Sequence, residues 1–216
     1  MFRDRTDAAD QLSERLQRWR SQHPLVLAIP RGAVPMAQRI AQRLGTDWDV
    51  VLVRKLRAPW QPELAIGSID ESGWVYQSPQ AASCGADAAY LEQEQREQLA
   101  TLHRRRAQYT PLRAPIDPAG RVVIVVDDGL ATGATMIAAL HSLRLRHPAR
   151  LICAVPVAPA DTLAQMRALA DDVVCLLTPA NFQGVGQFYE QFAQIEDDEV
   201  IACLRSGSPL ETQLRR

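Results

Sequence analysis

The chain has 216 residues, of which 47% are hydrophobic and 23% charged, and its formal net charge is −1. These values are typical of a soluble globular protein and exclude a general electrostatic attraction to nucleic acid or to an anionic membrane. No apolar run approaches the roughly 20 residues that span a bilayer, and the first residues form no apolar signal segment. We therefore expect a cytoplasmic protein whose four scattered cysteines are free thiols rather than zinc ligands.

Hydrophobic periodicity predicts alternating helices and strands along the chain. Apolar residues at helical spacing predict helices over 6–19, 34–44, 86–109, 136–145, 161–169 and 196–204. Short apolar or alternating runs predict strands over 25–29, 49–53, 63–69, 73–76, 122–126, 150–157 and 173–177. This alternation predicts one α/β domain over residues 1–205, with residues 206–216 as a frayed tail.

The strand over 25–29 ends in the turn Pro30-Arg31-Gly32-Ala33, which leads directly into a helix. Gly32 permits backbone geometry that a side chain would block, and Arg31 carries a permanent positive charge. The turn is therefore a candidate anion-binding loop, although a routine turn with a surface arginine is the alternative.

The next strand ends in Arg54-Lys55, and Lys55 is the only lysine of the chain. Two cations at the carboxyl end of a strand would lie on the same edge of the sheet as the preceding turn and would suit an anionic ligand such as pyrophosphate. A solvated strand end is the alternative. Residues 56–62 contain Pro59 and Pro62, so we predict a mobile loop there.

The most informative stretch runs from Val122 to Thr135. Its β-branched run predicts a strand buried on both faces, and Asp127 and Asp128 follow at the end where parallel sheets bind ligands. The turn Ala131-Thr132-Gly133-Ala134-Thr135 then brings free amides to a helix start, which binds anions. Paired carboxylates can accept hydrogen bonds from vicinal hydroxyls, so the stretch fits a ribose carrying a 5′-phosphate. It is neither a Walker loop nor a dinucleotide fingerprint, and a plain helix cap is the alternative.

The strand, the two acids and the Thr-Gly-x-Thr turn resemble the phosphoribosyl-pyrophosphate (PRPP) motif of the type I phosphoribosyltransferases. Over nearly the whole chain, with Ala28-Ile29-Pro30-Arg31-Gly32 early and Val185-Gly186-Gln187-Phe188-Tyr189 late, the sequence resembles bacterial members with no assigned acceptor. The resemblance implies a three-layer α/β/α fold with a mostly parallel central sheet and a small hood from the C-terminal loop. It also implies that the two acids hold the ribose hydroxyls and that the turns bind the 5′-phosphate and pyrophosphate. The residues predicted to bind PRPP are Arg31, Gly32, Ala33, Arg54, Lys55, Asp127, Asp128, Ala131, Thr132, Gly133, Ala134 and Thr135.

The loop over 179–189 resembles the hood of purine-type enzymes, which implies that Phe182 stacks on the base and that Val185 offers backbone contacts. Ala131, however, replaces the aspartate of hypoxanthine-guanine enzymes and is more similar to adenine or uracil enzymes. Glu63 loosely matches a glutamate that approaches the base in adenine enzymes. These features conflict, so the sequence leaves the acceptor open. The predicted catalytic residues are Lys55, Glu63, Asp127 and Asp128.

The resemblance implies transfer of the phosphoribosyl group of PRPP to a nucleobase or similar nitrogenous acceptor. It implies Mg²⁺ as cofactor, held mainly by PRPP and at most through water by Asp127 and Asp128, and it allows a homodimer. A PRPP- or nucleotide-sensing regulator without turnover and a hydrolase are the alternatives. The run Arg104-Arg105-Arg106 could bind RNA, but a solvated helix end is the preferred interpretation, so we expect neither a nucleic-acid nor a membrane partner.

Overall fold

The computed structural model describes residues 1–79 and 81–206, without the side chain of Glu63. The predicted role of Glu63 and almost all of the predicted tail over 206–216 therefore lie outside the described residues. The helices are α1 (Arg5–Leu16), α2 (Val34–Leu44), α3 (Ala88–Tyr109), α4 (Ala134–Arg144), α5 (Ala160–Leu169) and α6 (Asp197–Arg205). The strands are β1 (Leu25–Ala28), β2 (Trp48–Val50), β3 (Val53–Ala58), β4 (Gln61–Asp70), β5 (Val75–Gln77), β6 (Val122–Val126), β7 (Arg150–Val157) and β8 (Asp172–Leu177). None of the described helices has the length and apolar character needed to cross a bilayer.

A five-stranded parallel sheet in the order β2-β1-β6-β7-β8 forms the centre of the fold. Successive side chains of a strand point to opposite faces, so β6 contributes to two apolar cores. Ile124 and Val126 share one core with α1 and α2, whereas Val123 and Val125 share the other with α4 and α5. Helices thus cover both faces of the sheet, which explains the unbroken β-branched run of β6. The predicted three-layer α/β/α fold class is confirmed.

Strands β3, β4 and β5 form a separate antiparallel sheet, and here two predictions were wrong. The single strand predicted over 49–53 is divided between β2 in the central sheet and β3 in the second sheet. The mobile loop predicted over 56–62 is a β-hairpin, because its prolines lie where a strand pair tolerates them. Pro59 is in the turn, and Pro62 falls where the β3–β4 register shifts next to the pair formed by Ala58 and Gln61.

Two neighbouring strands of the central sheet bring the predicted loops together. β1 pairs in parallel with β6, and just beyond β1 the amide of Ile29 donates to the carbonyl of Val126 at 3.0 Å. The turn after β1 and the acids after β6 therefore lie side by side at the carboxyl edge of the sheet. That edge is where parallel α/β sheets place their ligands.

Candidate active site

A cavity of about 550 Å³ opens at the carboxyl ends of β1 and β6. Most of the residues predicted to bind PRPP border it, although they come from separate parts of the chain. The predicted residues that line the cavity are Arg31, Gly32, Lys55, Asp127, Asp128, Ala131, Thr132, Gly133, Ala134, Thr135 and Val185. The fold therefore brings the two predicted anion loops, the paired acids and the single lysine to one place.

The two acids after β6 differ in their surroundings. Asp127 accepts a hydrogen bond from the amide of Asp128 at 2.9 Å, whereas Asp128 Oδ2 forms an ion pair with Arg5 at 2.8 Å. Burial, and then the neighbouring charge of Asp128, raises the pKa of Asp127 well above its ordinary value. Burial also raises the pKa of Asp128, but the charge and hydrogen bond of Arg5 oppose that shift. The ion pair with Arg5 thus stabilises the ionised form of Asp128.

The turn after β6 is held in place by a hydrogen bond from α5. Gly133, with a φ of 75°, is the N-cap of α4, so the amides of the first turn of α4 have no partner within the helix. Thr162 on α5 donates its hydroxyl to the carbonyl of Ala131 at 2.7 Å. The distance from the amide of Ala134 to the hydroxyl of Thr132 is 3.5 Å, too long for a strong cap. The geometry is that of an anion-binding helix start.

The turn after β1 adds a cation to the cavity. The peptide bond between Pro30 and Arg31 is cis, and the guanidinium of Arg31 forms an ion pair with Glu196 at 3.1 Å. Ala33 is fully buried as the N-cap of α2 and is not among the residues that line the cavity. Of the three residues of this turn predicted to bind PRPP, Arg31 and Gly32 therefore line the cavity and Ala33 does not.

Lys55 and Arg54 lie on opposite sides of β3. Lys55 is exposed and lines the cavity, whereas Arg54 donates its Nε to Gln98 of α3 at 2.5 Å. Burial, followed by the charge of Arg105, lowers the pKa of Arg54. The expectation that both cations border the ligand is not met for Arg54, because consecutive strand residues alternate in direction.

The structure also separates the two residues predicted to contact the acceptor. Val185 lines the cavity that contains the paired acids. Phe182 instead lines a different cavity of about 820 Å³ beside α5, and its ring stacks on that of Phe188 with 5.6 Å between centroids. The two cavities share Ala131, Thr132 and Ala134. Phe182 thus does not line the cavity that contains the paired acids.

The sequence analysis did not identify three further groups at the site: Arg5, Tyr189 and residues 192–195. Arg5 reaches Asp128 across 123 residues of sequence, and the hydroxyl of Tyr189 donates to the Asp128 carbonyl at 2.7 Å. Residues 192–195 line the same side of the cavity. No local pattern marks these contacts, because an arginine at a helix start and an aromatic residue in a loop are common without any site nearby.

Comparisons with known proteins identify the family to which the chain belongs. The family model of the phosphoribosyl transferase domain matches residues 4–193. Two curated proteins of Mycobacterium tuberculosis, one from strain CDC 1551 and one from H37Rv, carry provisional names as phosphoribosyl transferases and are 43% identical over 205 residues. The match covers 94% of this chain and 46% of theirs, so the chain spans about half the length of these curated relatives. A crystal structure from Thermus thermophilus is 41% identical, with a TM-score of 0.80, covering 96% of this chain and 99% of that one.

Proposed function

Because the chain belongs to the phosphoribosyl transferase family, we propose that it transfers the 5-phosphoribosyl group of PRPP to a nitrogenous acceptor such as a nucleobase and releases pyrophosphate. One observation carries the proposal: four separate segments border one cavity. They are the acids after β6, the start of α4, the turn after β1 and Lys55 on β3. Together they supply hydroxyl acceptors, an anion-binding helix start and two cations, which match the ribose, the 5′-phosphate and the pyrophosphate of PRPP.

In the proposed reaction, the lone pair of an acceptor nitrogen attacks C1′ of the ribose while the bond from C1′ to the pyrophosphate oxygen breaks. The electrons of that bond stay on pyrophosphate, and the acceptor nitrogen gives up its proton to solvent. Asp127 and Asp128 would hold the ribose hydroxyls during this step. Arg31 would exchange its ion pair with Glu196 for one with pyrophosphate and, with Lys55, would stabilise the charge that develops on the leaving group.

We expect Mg²⁺ to bind together with PRPP rather than in a site of its own. Among the side chains that the structure describes, which exclude that of Glu63, there is no group of three or more His, Cys, Asp or Glu able to hold a metal ion. Asp127 and Asp128 do offer carboxylate oxygens, the ligand type that Mg²⁺ prefers, and Mg²⁺ commonly keeps several waters beside substrate phosphates. The two acids would therefore hold the hydrated ion through water, and the bound ion would neutralise charge on pyrophosphate.

The proposal is tested by incubating the protein with PRPP, Mg²⁺ and a panel of purines and pyrimidines, and measuring pyrophosphate. Release that depends on one acceptor, and that Asp128→Asn removes, supports phosphoribosyl transfer. PRPP binding without release in the presence of any acceptor would favour a sensor, and release without an acceptor would favour a hydrolase. A chain that binds no PRPP would contradict all three.

An RNA-binding sensor receives little support from the arginine run on α3. Arg105 forms an ion pair with Asp197 at 3.4 Å, and Arg106 pairs with Glu71 through two hydrogen bonds. These two guanidinium groups already have acidic partners within the fold.

A homodimer and a cytoplasmic location remain predictions that size measurement and fractionation would test.

A further inference from the structure

Arg5, which follows the N-terminal segment over residues 2–4, lines the cavity although no motif of the sequence marks it. Resting on the proposed function, we infer that Arg5 is a positioning residue that orients the carboxylate of Asp128 for the ribose hydroxyls and fixes the segment over 192–195 beside it. Arg5 itself need not touch the reacting atoms. Its action on the ligand passes through Asp128.

The contacts of Arg5 with Asp128 leave one carboxylate oxygen for a ligand. Nε and a terminal nitrogen of Arg5 both approach Oδ2 of Asp128, at 2.9 and 2.8 Å. Among the described residues, none other than Asp128 itself donates a hydrogen bond to Oδ1 of Asp128. Because both donors of Arg5 engage the same oxygen, the carboxylate is held in one orientation with its second oxygen available to accept a hydroxyl.

The same guanidinium also contacts the segment over 192–195, which lines the cavity. Its remaining terminal nitrogen donates to the carbonyl of Ala193 at 2.6 Å, and its carbon lies 4.0 Å from the centroid of the Phe192 ring. A planar group with five donors can make these contacts together, which a lysine at this position could not do. Arg5 therefore joins the acid after β6 to the C-terminal segment that lines the cavity.

Backbone hydrogen bonds join residues 188–191, which directly precede the segment over 192–195, to Phe2 and Arg3. The amide of Phe2 donates to Phe188, and the amides of Glu190 and Gln191 donate to the carbonyls of Phe2 and Arg3, at 2.8 to 2.9 Å. These bonds fix the backbone just before Arg5, and α1 fixes the backbone from Arg5 onward. The side chain of Arg5 is 12% exposed and that of Asp128 is 16% exposed, so the pair is shielded from water far more than a surface ion pair.

Arg39 and Asp10 provide a matched control. They form a two-hydrogen-bond pair between α2 and α1, at 2.7 and 3.1 Å, but their side chains are 41% and 31% exposed. Neither residue lines the cavity. An effect of losing any arginine–aspartate pair would therefore also be seen in Arg39→Ala.

The test compares two ligands of equal charge, ribose 5-phosphate and 2-deoxyribose 5-phosphate, by calorimetry. Their affinity ratio isolates the hydroxyl contact, because any change in the field that acts on the phosphate cancels. The wild-type protein should prefer the ribose form by roughly tenfold, because the deoxy form lacks the 2-hydroxyl that would donate a hydrogen bond to the carboxylate. In Arg5→Ala and in Asp128→Asn the ratio should fall towards one, and Arg39→Ala should keep it.

A folded Arg5→Ala protein that keeps the wild-type ratio would overturn the inference. If Arg5→Ala does not fold, Arg5→Gln, which keeps a donor but cannot reach both Asp128 and Ala193, is judged by the same criterion. A wild-type protein that binds neither sugar phosphate, or binds both equally, would instead contradict the proposed function. The two failures are therefore distinguishable.

Discussion

The carboxylate of Asp128 occupies the space that a side chain on Gly32 would need. A Cβ added to Gly32 would lie 2.1 Å from Oδ2 and 2.9 Å from Cγ of Asp128, closer than real Cβ contacts allow. The turn after β1 and the acids after β6 are thus in direct contact, and glycine is required there for space. Any larger residue must displace either the turn or the acid.

We predict that Gly32→Ala weakens PRPP binding by roughly tenfold or more, because it moves the acid that accepts the ribose hydroxyls. Gly184→Ala is the matched control. Gly184 has extended backbone, with a φ of 175°, and a Cβ added there meets no atom within 4 Å. Calorimetry measures both affinities, and circular dichroism confirms that both proteins are folded. Equal affinities for the two folded variants would show that the contact does not matter for binding.

The two adjacent cations of β3 should behave differently when each is replaced. Lys55→Ala should lower turnover by roughly a hundredfold, as expected when a group that stabilises the leaving charge is lost. Arg54→Gln should leave turnover within about twofold of wild type, because Arg54 faces Gln98 of α3 instead of the cavity. Lys55→Arg should also be slower, since a planar guanidinium does not replace a compact ammonium. Steady-state kinetics of the three proteins would decide, and a slow Arg54→Gln with a normal Lys55→Ala would reverse the assignment.

Asp127 should destabilise the free protein at neutral pH. Its pKa in the folded state is raised above 3.8 by burial and by Asp128, so the unfolded chain releases this proton at lower pH than the folded chain does. The associated stability is present below the unfolded pKa and is lost as the pH rises through the folded pKa. Asp127→Asn should therefore be more stable than wild type at about pH 7, and the difference should shrink towards about pH 4, as measured by denaturant unfolding.

Asp171 offers a control of opposite sign for that experiment. Burial alone would raise the pKa of Asp171, but hydrogen bonds from Arg144 and from the amide of Leu151 outweigh it and lower the pKa. Asp171→Asn should be less stable than wild type at about pH 7, and this deficit should shrink as the pH falls through the folded pKa. If the stability differences of both asparagine variants change in the same direction with pH, the raised pKa assigned to Asp127 is wrong.

Phe182 should matter for stability more than for the acceptor. Its ring stacks on Phe188 beside the second cavity, so Phe182→Ala should lower the free energy of unfolding by about 1 kcal/mol or more through the lost aromatic contact. The Michaelis constant for the acceptor found in the panel should stay within about twofold of wild type. A large rise in that constant, with normal PRPP binding, would return Phe182 to the acceptor site.

Local pattern was enough to predict most elements of the central sheet, although it did not separate β2 from β3. The run Val122–Val126 could only be buried on both faces, and helix α2 has the predicted bounds because Pro35 favours its start and Gly45 its end. The strand over Arg150–Val157 was likewise predicted with the observed bounds. These features depend on neighbouring residues, so the sequence suffices.

The features that sequence could not supply depend on contacts between distant segments. Two prolines indicated a loop over 56–62, yet the pairing of β3 with β4 overrides that signal and places Pro59 in a tight turn. The sequence did not show to which face of β3 the side chain of Arg54 points, because that depends on where the strand begins and ends. Arg5 had no signal at all, because its partner Asp128 lies 123 residues away along the chain.

The central claim, that the cavity holds the ribose of PRPP through the acids after β6, is tested most directly by calorimetric titration with PRPP and Mg²⁺. Wild-type protein and a folded Asp128→Asn variant are compared at the same ionic strength. We predict binding to the wild-type protein and an affinity for the variant that is lower by roughly tenfold or more. Equal affinities, or a wild-type protein that binds no PRPP, would contradict the claim.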